Sequence, residues 1–204
     1  MSPIRAVIFD LGNVLVFHEN ERVYERFAAR TGIPVSEVRR LLTGWQLFEG
    51  TNRGQLNGDG IRREVCRLLG VEIPRQEFEQ IWSCHFTVNT SMIPAIESLL
   101  GQVALVLLSN TNALHTAYLR PLLPVLELFD ALLFSNEVHL VKPEPAFFEL
   151  ALTRARVRPS EAVFFDDLER YVQAARDIGI HAFVFTDTTS CVADLRRLGV
   201  TVAG

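Results

Sequence analysis

Five short apolar runs, rich in β-branched and aromatic residues, recur along the sequence, and amphipathic segments separate the later ones. Strands that alternate with helices are joined by crossover connections and run parallel in one sheet. The pattern therefore predicts an α/β protein with a doubly wound parallel sheet. The predicted strands are residues 4–9, 103–108, 131–134, 162–165 and 181–185.

Signals for helix ends support the same alternation. Asn112 is placed to cap a helix that begins at Ala113, and Pro143 leads into a helix over residues 144–155. Ser190 is placed to begin a further helix near the end of the chain. Each of these helices follows one of the predicted strands.

Residues 17–89 differ from the rest of the chain because they carry helical patterns and almost no β-like run. The helices predicted there are residues 21–30, 37–43, 61–69 and 75–84. We therefore predict two parts, an α/β core of residues 1–16 and 90–204 and a helical cap of residues 17–89. An insertion after the first strand would lie over the carboxyl ends of the strands, where open α/β sheets bind ligands.

The composition limits which binding partners and which cellular compartment we expect for this protein. The 204 residues carry a formal net charge of −4, and no basic tract exceeds a pair, so neither nucleic acid nor a membrane is expected as a partner. The apolar runs are shorter than the ~20 residues of a membrane-spanning helix, and the first residues lack a signal-peptide pattern. Three cysteines without paired or metal-like spacing fit a reducing compartment. We expect a cytoplasmic protein.

Four polar clusters follow the first four predicted strands. They are Asp10-Leu11-Gly12-Asn13, Ser109-Asn110-Thr111-Asn112, Lys142-Pro143 and Asp166-Asp167. Because the carboxyl ends of parallel strands meet at one edge of a sheet, we expect these clusters to lie close together.

Three carboxylates within a few ångströms repel one another unless a cation compensates them. Mg²⁺ commonly binds one or two carboxylates together with a substrate phosphate. Asp10 and Asp166 are the natural pair, with Asp167 as a water-mediated ligand or a supporting acceptor. Lys142 and Ser109 would donate hydrogen bonds to a doubly negative phosphate. Asp10 is then placed as a nucleophile that forms an aspartyl-phosphate, which water cleaves.

Four segments resemble, in order and spacing, the motifs of the haloacid dehalogenase (HAD) superfamily: VIFDLGNVLV, VLLSNTN, VKPEPAFFELAL and VFFDDLERYVQAARDIGI. The resemblance covers the whole chain, and the segments are most similar to bacterial sugar phosphatases of the glucose-1-phosphatase type. It implies a HAD-like Rossmannoid core with a helical cap after the first strand. It also implies Mg²⁺ as cofactor and hydrolysis of a small-molecule phosphate ester, above all a sugar phosphate.

The resemblance further implies a role for each matching position. The implied metal ligands are Asp10, the main-chain carbonyl of Gly12, Asp166 and, in support, Asp167. Asp10 is also the implied nucleophile. Ser109 and Lys142 are implied as catalytic groups that bind the phosphate, and Asn110 as a residue that assists phosphate binding.

One position departs from the pattern of most phosphatases in the superfamily, which carry a second aspartate two residues after the nucleophile as general acid and base. This sequence has Gly12 there, and loss of such a group typically costs about 10²–10⁴-fold in rate. Three interpretations stay open. The leaving group needs little protonation, as in a sugar 1-phosphate; or His18 or Glu19 supplies the proton; or the protein is a weak or inactive relative.

Two other functions stay open as well. A haloacid dehalogenase uses the same aspartate, needs no metal, and carries an arginine near the position of Arg39 or Arg40. A non-catalytic protein would bind metal or phosphate without turnover. A metal requirement for phosphate release would separate the phosphatase from both.

Several side chains outside the motifs are weaker candidates. Trp45 or Glu49, in the segment GWQLFEG, is a candidate for substrate selection. His139 is expected to be a loop histidine bonded to the main chain, His115 to face solvent with a substrate role as the alternative, and His85 to be structural.

Overall fold

The computed structural model describes residues 3–203, with the main chain alone at Trp45, Gln46 and Phe48. The strands in that part of the chain are β1 (Ala6–Phe9), β2 (Val16–His18), β3 (Phe86–Val88), β4 (Ala104–Ser109), β5 (Ala131–Phe134), β6 (Ala162–Asp166) and β7 (His181–Val184). Five of them form a parallel sheet in the order β5-β4-β1-β6-β7. This confirms the predicted sheet, and every predicted strand is present within two residues of its expected bounds.

The helices of the described residues lie between these strands. They are α1 (Asn20–Thr31), α2 (Val35–Leu42), α3 (Trp45–Asn52), α4 (Gly58–Leu69), α5 (Arg75–Trp82), α6 (Met92–Ser98), α7 (Ala113–Leu119), α8 (Ser135–Val138), α9 (Pro145–Ala155), α10 (Glu169–Asp177) and α11 (Thr188–Arg197). The predicted cap at Asn112 is confirmed, because its side chain accepts hydrogen bonds from the first turn of α7. The prediction at Ser190 is wrong. Asp187 caps α11, and its side chain accepts a hydrogen bond from the Ser190 N–H. A carboxylate just before a helix is a good acceptor for the unpaired main-chain N–H groups of the first turn.

Helices cover both faces of the sheet because neighbouring residues of a strand point to opposite sides. Val7 and Phe9 of β1 belong to a buried cluster that includes residues of α6 and α11. Ala6 and Ile8 of the same strand belong to a second cluster with residues of α9 and α10. The central strand is therefore fully buried, which explains its continuous apolar sequence.

Helices α1 to α5 form the insertion, and they have a buried cluster of their own. Each helix contributes apolar residues to it, among them Phe27 of α1 and Phe78 of α5, and Leu114 of α7 joins them from the sheet side. No helix within residues 3–203 is long and apolar enough to cross a membrane. The division at residues 17 and 89 stays a prediction.

A two-stranded antiparallel ribbon connects the insertion to the sheet. Strands β2 and β3 pair at its two ends, with Val16 opposite Val88 and His18 opposite Phe86. These two strands were not predicted, because the sequence of residues 17–89 shows almost no β-like run. Three-residue strands lack a detectable alternation, and these two exist because distant segments pair.

The insertion rests on the segment that leads from β5 to α9. Arg53, which follows α3, places its guanidinium 2.5 Å from Glu144 Oε1, and its carbonyl accepts a hydrogen bond of 2.7 Å from His139 Nδ1. The main-chain bonding predicted for His139 is thus confirmed. Gly54 lies so close that a Cβ on it would be 2.0 Å from the carbonyl oxygen of Asn136.

We expect Gly54→Ala to destabilise the protein more than Gly70→Ala. Both glycines have φ of +66°, a region that costs an L residue about 1–2 kcal/mol. Only at Gly54 does the added methyl group meet main chain, since nothing lies within 4 Å of a Cβ at Gly70. Denaturant unfolding of both variants measures the difference, and equal losses would contradict the close contact at Asn136.

Candidate active site

The four polar clusters meet at the carboxyl edge of the sheet, as predicted. Asp10 follows the central strand β1, and Asp166 ends its neighbour β6. Ser109 ends β4 on the other side of β1, and Lys142 lies in the segment between α8 and α9. Parallel order brings together residues that are up to 156 positions apart.

Lys142 lies between two buried carboxylates. Its Nζ is 2.8 Å from Asp10 Oδ1 and 2.5 Å from Asp166 Oδ2. The lysine side chain is 1% exposed, and its Nζ is 5.1 Å from the centre of the Tyr171 ring. It is the only lysine in the 204 residues. An ammonium group buried this deeply is stable only because the two carboxylates balance its positive charge.

The electrostatics of this triad are unusual at Asp10. Burial raises the pKa of Asp10 to about 7, with Asp166 adding to the rise and Lys142 opposing it. Burial would lower the pKa of Lys142, but the two carboxylates outweigh it and hold that pKa above its ordinary value. A second cation beside Asp10 would favour its charged form.

A third carboxylate completes a group with the chemistry of a magnesium site. Asp10, Asp166 and Asp167 each offer an oxygen, and these oxygens lie within 4.8 Å of one another. One lysine compensates only one of three negative charges, and oxygen ligands of this kind fit Mg²⁺. The donor set therefore fits the predicted metal.

Asn13 is a residue of the site that the sequence analysis did not single out. It has a left-handed backbone (φ 53°) in the turn after Gly12, a conformation that asparagine tolerates. Its Nδ2 donates to Asp167 Oδ2 at 2.8 Å and lies 3.3 Å from His18 Nε2. Asn13 thus links the predicted metal group to His18, and its position directly after glycine was the available signal.

Asn110 contacts Lys142 through both ends of its amide. Its Nδ2 donates to the Lys142 carbonyl at 2.9 Å, and its Oδ1 accepts from the Lys142 N–H at 2.8 Å. The amide group therefore fixes the main chain of Lys142. The help in phosphate binding that the resemblance implies for Asn110 stays a prediction. Ser109, by contrast, is buried beside an open cavity.

A cavity of about 360 Å³ lies between the sheet edge and the insertion. Gly12, Ser109 and Asn110 line it on the side of the sheet, and His18, Trp82 and other residues of the insertion line it opposite. The cavity therefore opens beside the first two of the four clusters.

His115 and His85 both line this cavity. His115 is half-buried at the start of α7, so the expectation that it faces solvent is wrong, and His85 is 4% exposed. Glu49 is paired with Arg53 at 2.5 Å. The side chain of Trp45 lies outside the described residues.

His18 fills the space left by the missing side chain at Gly12. A Cβ on Gly12 would lie 3.3 Å from His18 Nε2 and 3.9 Å from Asp10 Oδ2. Burial lowers the pKa of His18, and Asp167 opposes this shift. Glu19, the other predicted proton donor, is 62% exposed and pairs with Arg22 at 2.8 Å.

A family model described as haloacid dehalogenase-like hydrolase matches residues 4–179. The chain belongs to this family. Several curated relatives of this hydrolase are phosphatases by name. D-ribitol-5-phosphate phosphatase of Bacteroides thetaiotaomicron is 26% identical over 190 residues, or 88% of this chain and 91% of the relative. Phosphorylated carbohydrates phosphatase of Thermotoga maritima is 27% identical over 184 residues, or 87% and 82% of the two chains.

A solved HAD family enzyme of Bacteroides thetaiotaomicron has the same fold as this hydrolase. It superposes with a TM-score of 0.88 at 23% identity, over 96% of this chain and 100% of the other. Its complex with magnesium and inorganic phosphate superposes with a TM-score of 0.82 at 24% identity, over 92% and 98%. The predicted superfamily and its core fold are confirmed.

We expect Lys142→Met to lower the free energy of unfolding by about 3–5 kcal/mol, because it leaves two buried carboxylates facing each other. Asp10→Asn should cost less, since Lys142 keeps Asp166 as a partner. Lys142 opposes the rise in the pKa of Asp10, so without the lysine Asp10 takes up its proton in the folded state at a still higher pH. The Lys142→Met variant should therefore gain stability relative to the native protein as pH falls from 7 to 5. Denaturant unfolding at both pH values checks this, and a constant difference would contradict it.

Proposed function

We propose that this hydrolase cleaves small phosphate monoesters, among them sugar phosphates, through an aspartyl-phosphate on Asp10, with Mg²⁺ as cofactor. The observation that carries the proposal is the buried triad of Asp10, Lys142 and Asp166, with Asp167 beside it. The turn that follows Asp10 lines the cavity at Leu11 and Gly12. Two carbohydrate phosphate phosphatases among the relatives support it. A relative of the same fold solved with magnesium and phosphate supports the choice of metal.

Each residue of the site has its own role in the proposed reaction. A carboxylate oxygen of Asp10 attacks phosphorus, the bond to the leaving-group oxygen breaks, and the aspartyl-phosphate forms. Lys142 Nζ and the Ser109 hydroxyl donate hydrogen bonds to phosphate oxygens, where charge must be stabilised. Asp10, Asp166, Asp167 and the Gly12 carbonyl would hold Mg²⁺, which when bound neutralises phosphate charge. Water then attacks phosphorus and releases Asp10.

We assign the proton transfer to His18 in preference to Glu19. Asn13 Oδ1 accepts from the His18 main-chain N–H at 3.4 Å, so the other end of this amide donates toward His18 Nε2. In the neutral ring Nε2 is therefore unprotonated. Its one lone pair can take the proton of the water that cleaves the aspartyl-phosphate once that water replaces the 3.3 Å contact from Asn13. This assignment concerns the second step, the hydrolysis of the aspartyl-phosphate. For the first step, a leaving group that needs little protonation stays open as an alternative.

The position of two arginines favours a phosphatase over a dehalogenase. Arg39 pairs with Glu21 and Arg40 with Glu37, at 2.7 and 2.6 Å, with both arginines more than half exposed. Neither arginine is among the described residues that line the cavity, so neither is available there to bind a halide or a carboxylate. A non-catalytic binding protein is disfavoured because the costly buried triad is intact.

Phosphate release from a panel of esters tests the proposal. With Mg²⁺ we expect release from hexose 1-phosphates, hexose 6-phosphates and an activated aryl phosphate, and loss of that release with excess chelator. Asp10→Asn should abolish turnover with the fold retained, because no nucleophile remains. Asp177→Asn, an exposed change on α10, is the matched control. Release that is indifferent to chelator, or substantial turnover by Asp10→Asn, would refute the proposal.

We expect His18→Asn to lower turnover of hexose 6-phosphates by about 10²–10⁴-fold, and Glu19→Gln to change it little. Adding Gly12→Asp to His18→Asn should restore part of the activity, because the new carboxyl group enters the space that the imidazole leaves. Steady-state rates of the three variants at saturating Mg²⁺ measure this. A loss with Glu19→Gln that matches or exceeds that of His18→Asn would assign the proton transfer to the glutamate.

A further inference from the structure

The segment that carries Lys142 has no helix or strand to hold its main chain. It spans residues 139–144, between α8 and α9. Main-chain groups outside regular structure need other partners to fix their position. Asn110 supplies two such contacts, at the Lys142 N–H and carbonyl. The other contacts of this segment decide how firmly the ammonium group is placed between Asp10 and Asp166.

Glu144 closes a turn around the lysine. Its main-chain N–H donates to the Val141 carbonyl at 2.9 Å, and its Oε2 accepts from the Val141 N–H at 3.3 Å. Glu144 occupies the N-cap position of α9, where an acidic side chain ordinarily accepts a hydrogen bond from the first helical turn. Its side chain makes no such bond to the helix. The carboxylate therefore braces the turn that contains Lys142 and Pro143.

Arg53 of the insertion holds that carboxylate. Its guanidinium bridges Glu144 Oε1 and Glu49 Oε2, each at 2.5 Å, and the three side chains are between 21% and 35% exposed. Among the described residues, the Arg53–Glu144 contact is the only salt bridge between residues 19–82 and the rest of the chain. A half-buried guanidinium with two carboxylates contributes more than a single exposed ion pair.

The same arginine contacts the start of the segment as well. Its carbonyl accepts a hydrogen bond of 2.7 Å from His139 Nδ1. His139 has a left-handed backbone (φ 60°) at the end of α8, a conformation that persists in such a residue only where neighbours hold it. Arg53 therefore contacts both the first and the last residue of segment 139–144. Neither Arg53 nor Glu144 is among the described residues that line the cavity, so their effect on the reaction has to pass through this segment.

We infer that Arg53 is a positioning residue for the proposed phosphatase reaction, because it fixes from the insertion the turn that places Lys142. This inference rests on the proposed function and adds to it a contribution of the insertion to the chemical step. Lys142 stabilises charge on the transferring phosphoryl group only while its ammonium group keeps its place, and a displacement of about 1 Å can cost about 10²-fold in rate. Through Arg53 the insertion acts on the phosphoryl group without contacting the substrate.

Two variants remove the contact from its opposite sides. Arg53→Met removes the guanidinium, and Glu144→Gln removes the charge that the guanidinium binds. With acetyl phosphate, whose leaving group is small, we expect each variant to lower kcat/KM by about tenfold. Hexose 6-phosphates should lose the same factor, because Lys142 acts on the phosphoryl group that all these esters share. Circular dichroism checks the fold, and Glu144→Gln carries the test alone if Arg53→Met does not fold.

Competitive inhibition by inorganic phosphate separates a positioning role from a merely structural one. Its Ki does not depend on the fraction of enzyme that is folded, whereas a displaced Lys142 binds phosphate less tightly. We expect this Ki to rise several-fold in both variants. The double variant Arg53→Met/Glu144→Gln should lose no more than the larger single variant, because both changes break one contact. The matched control is Glu137→Gln, which removes an exposed carboxylate of α8 that pairs with Arg120 and should keep the native values.

The outcomes separate the inference from the proposed function. A native Ki in both variants, or a loss confined to hexose 6-phosphates, overturns the positioning role and leaves the phosphatase proposal standing. Losses that add in the double variant overturn the assignment to the Arg53–Glu144 contact. If the native protein hydrolyses neither acetyl phosphate nor any hexose 6-phosphate, the proposed function is overturned and the inference with it.

Discussion

The charge balance around Lys142 is the interaction on which the site depends. One buried ammonium group bridges carboxylates from the ends of two adjacent strands, and neither charge could be buried without the other. The parallel order places β1 between β4 and β6, so that Ser109, Asp10 and Asp166 lie side by side. Asn110 then fixes the main chain that carries the lysine. The order of the strands and the balance of buried charge are thus parts of the same arrangement.

The sequence was sufficient to predict those parts of the structure that are determined by short, local sequence patterns. The five strands are visible because β-rich apolar runs alternate with amphipathic helices, and Asp10 and Asp166 are visible because each directly follows such a run. The ribbon of β2 and β3 was missed because its pairing joins residues about 70 positions apart. The burial of His115 was missed for a related reason, since it depends on contact with Trp82 and Phe86 of the distant insertion. The position of Lys142 relative to Asp10 was expected, whereas the role of Asn110 toward it was not.

The insertion contributes more than a cover over the sheet. Its first strand brings His18 to the space above Gly12, and its third helix leads to Arg53 and Gly54, which contact residues 136–144 close to Lys142. The insertion therefore both lines the cavity, through His18, and contacts the segment that carries Lys142.

Because Lys142 is the only lysine of the chain, isotopic labelling of lysine would label this site alone. Protein grown with isotopically labelled lysine would give a single side-chain signal in a magnetic resonance spectrum, and that signal would come from the ammonium group between Asp10 and Asp166. A proton or a cation that bound either carboxylate would change the charge facing this ammonium group, so one resonance would report such binding without any mutation.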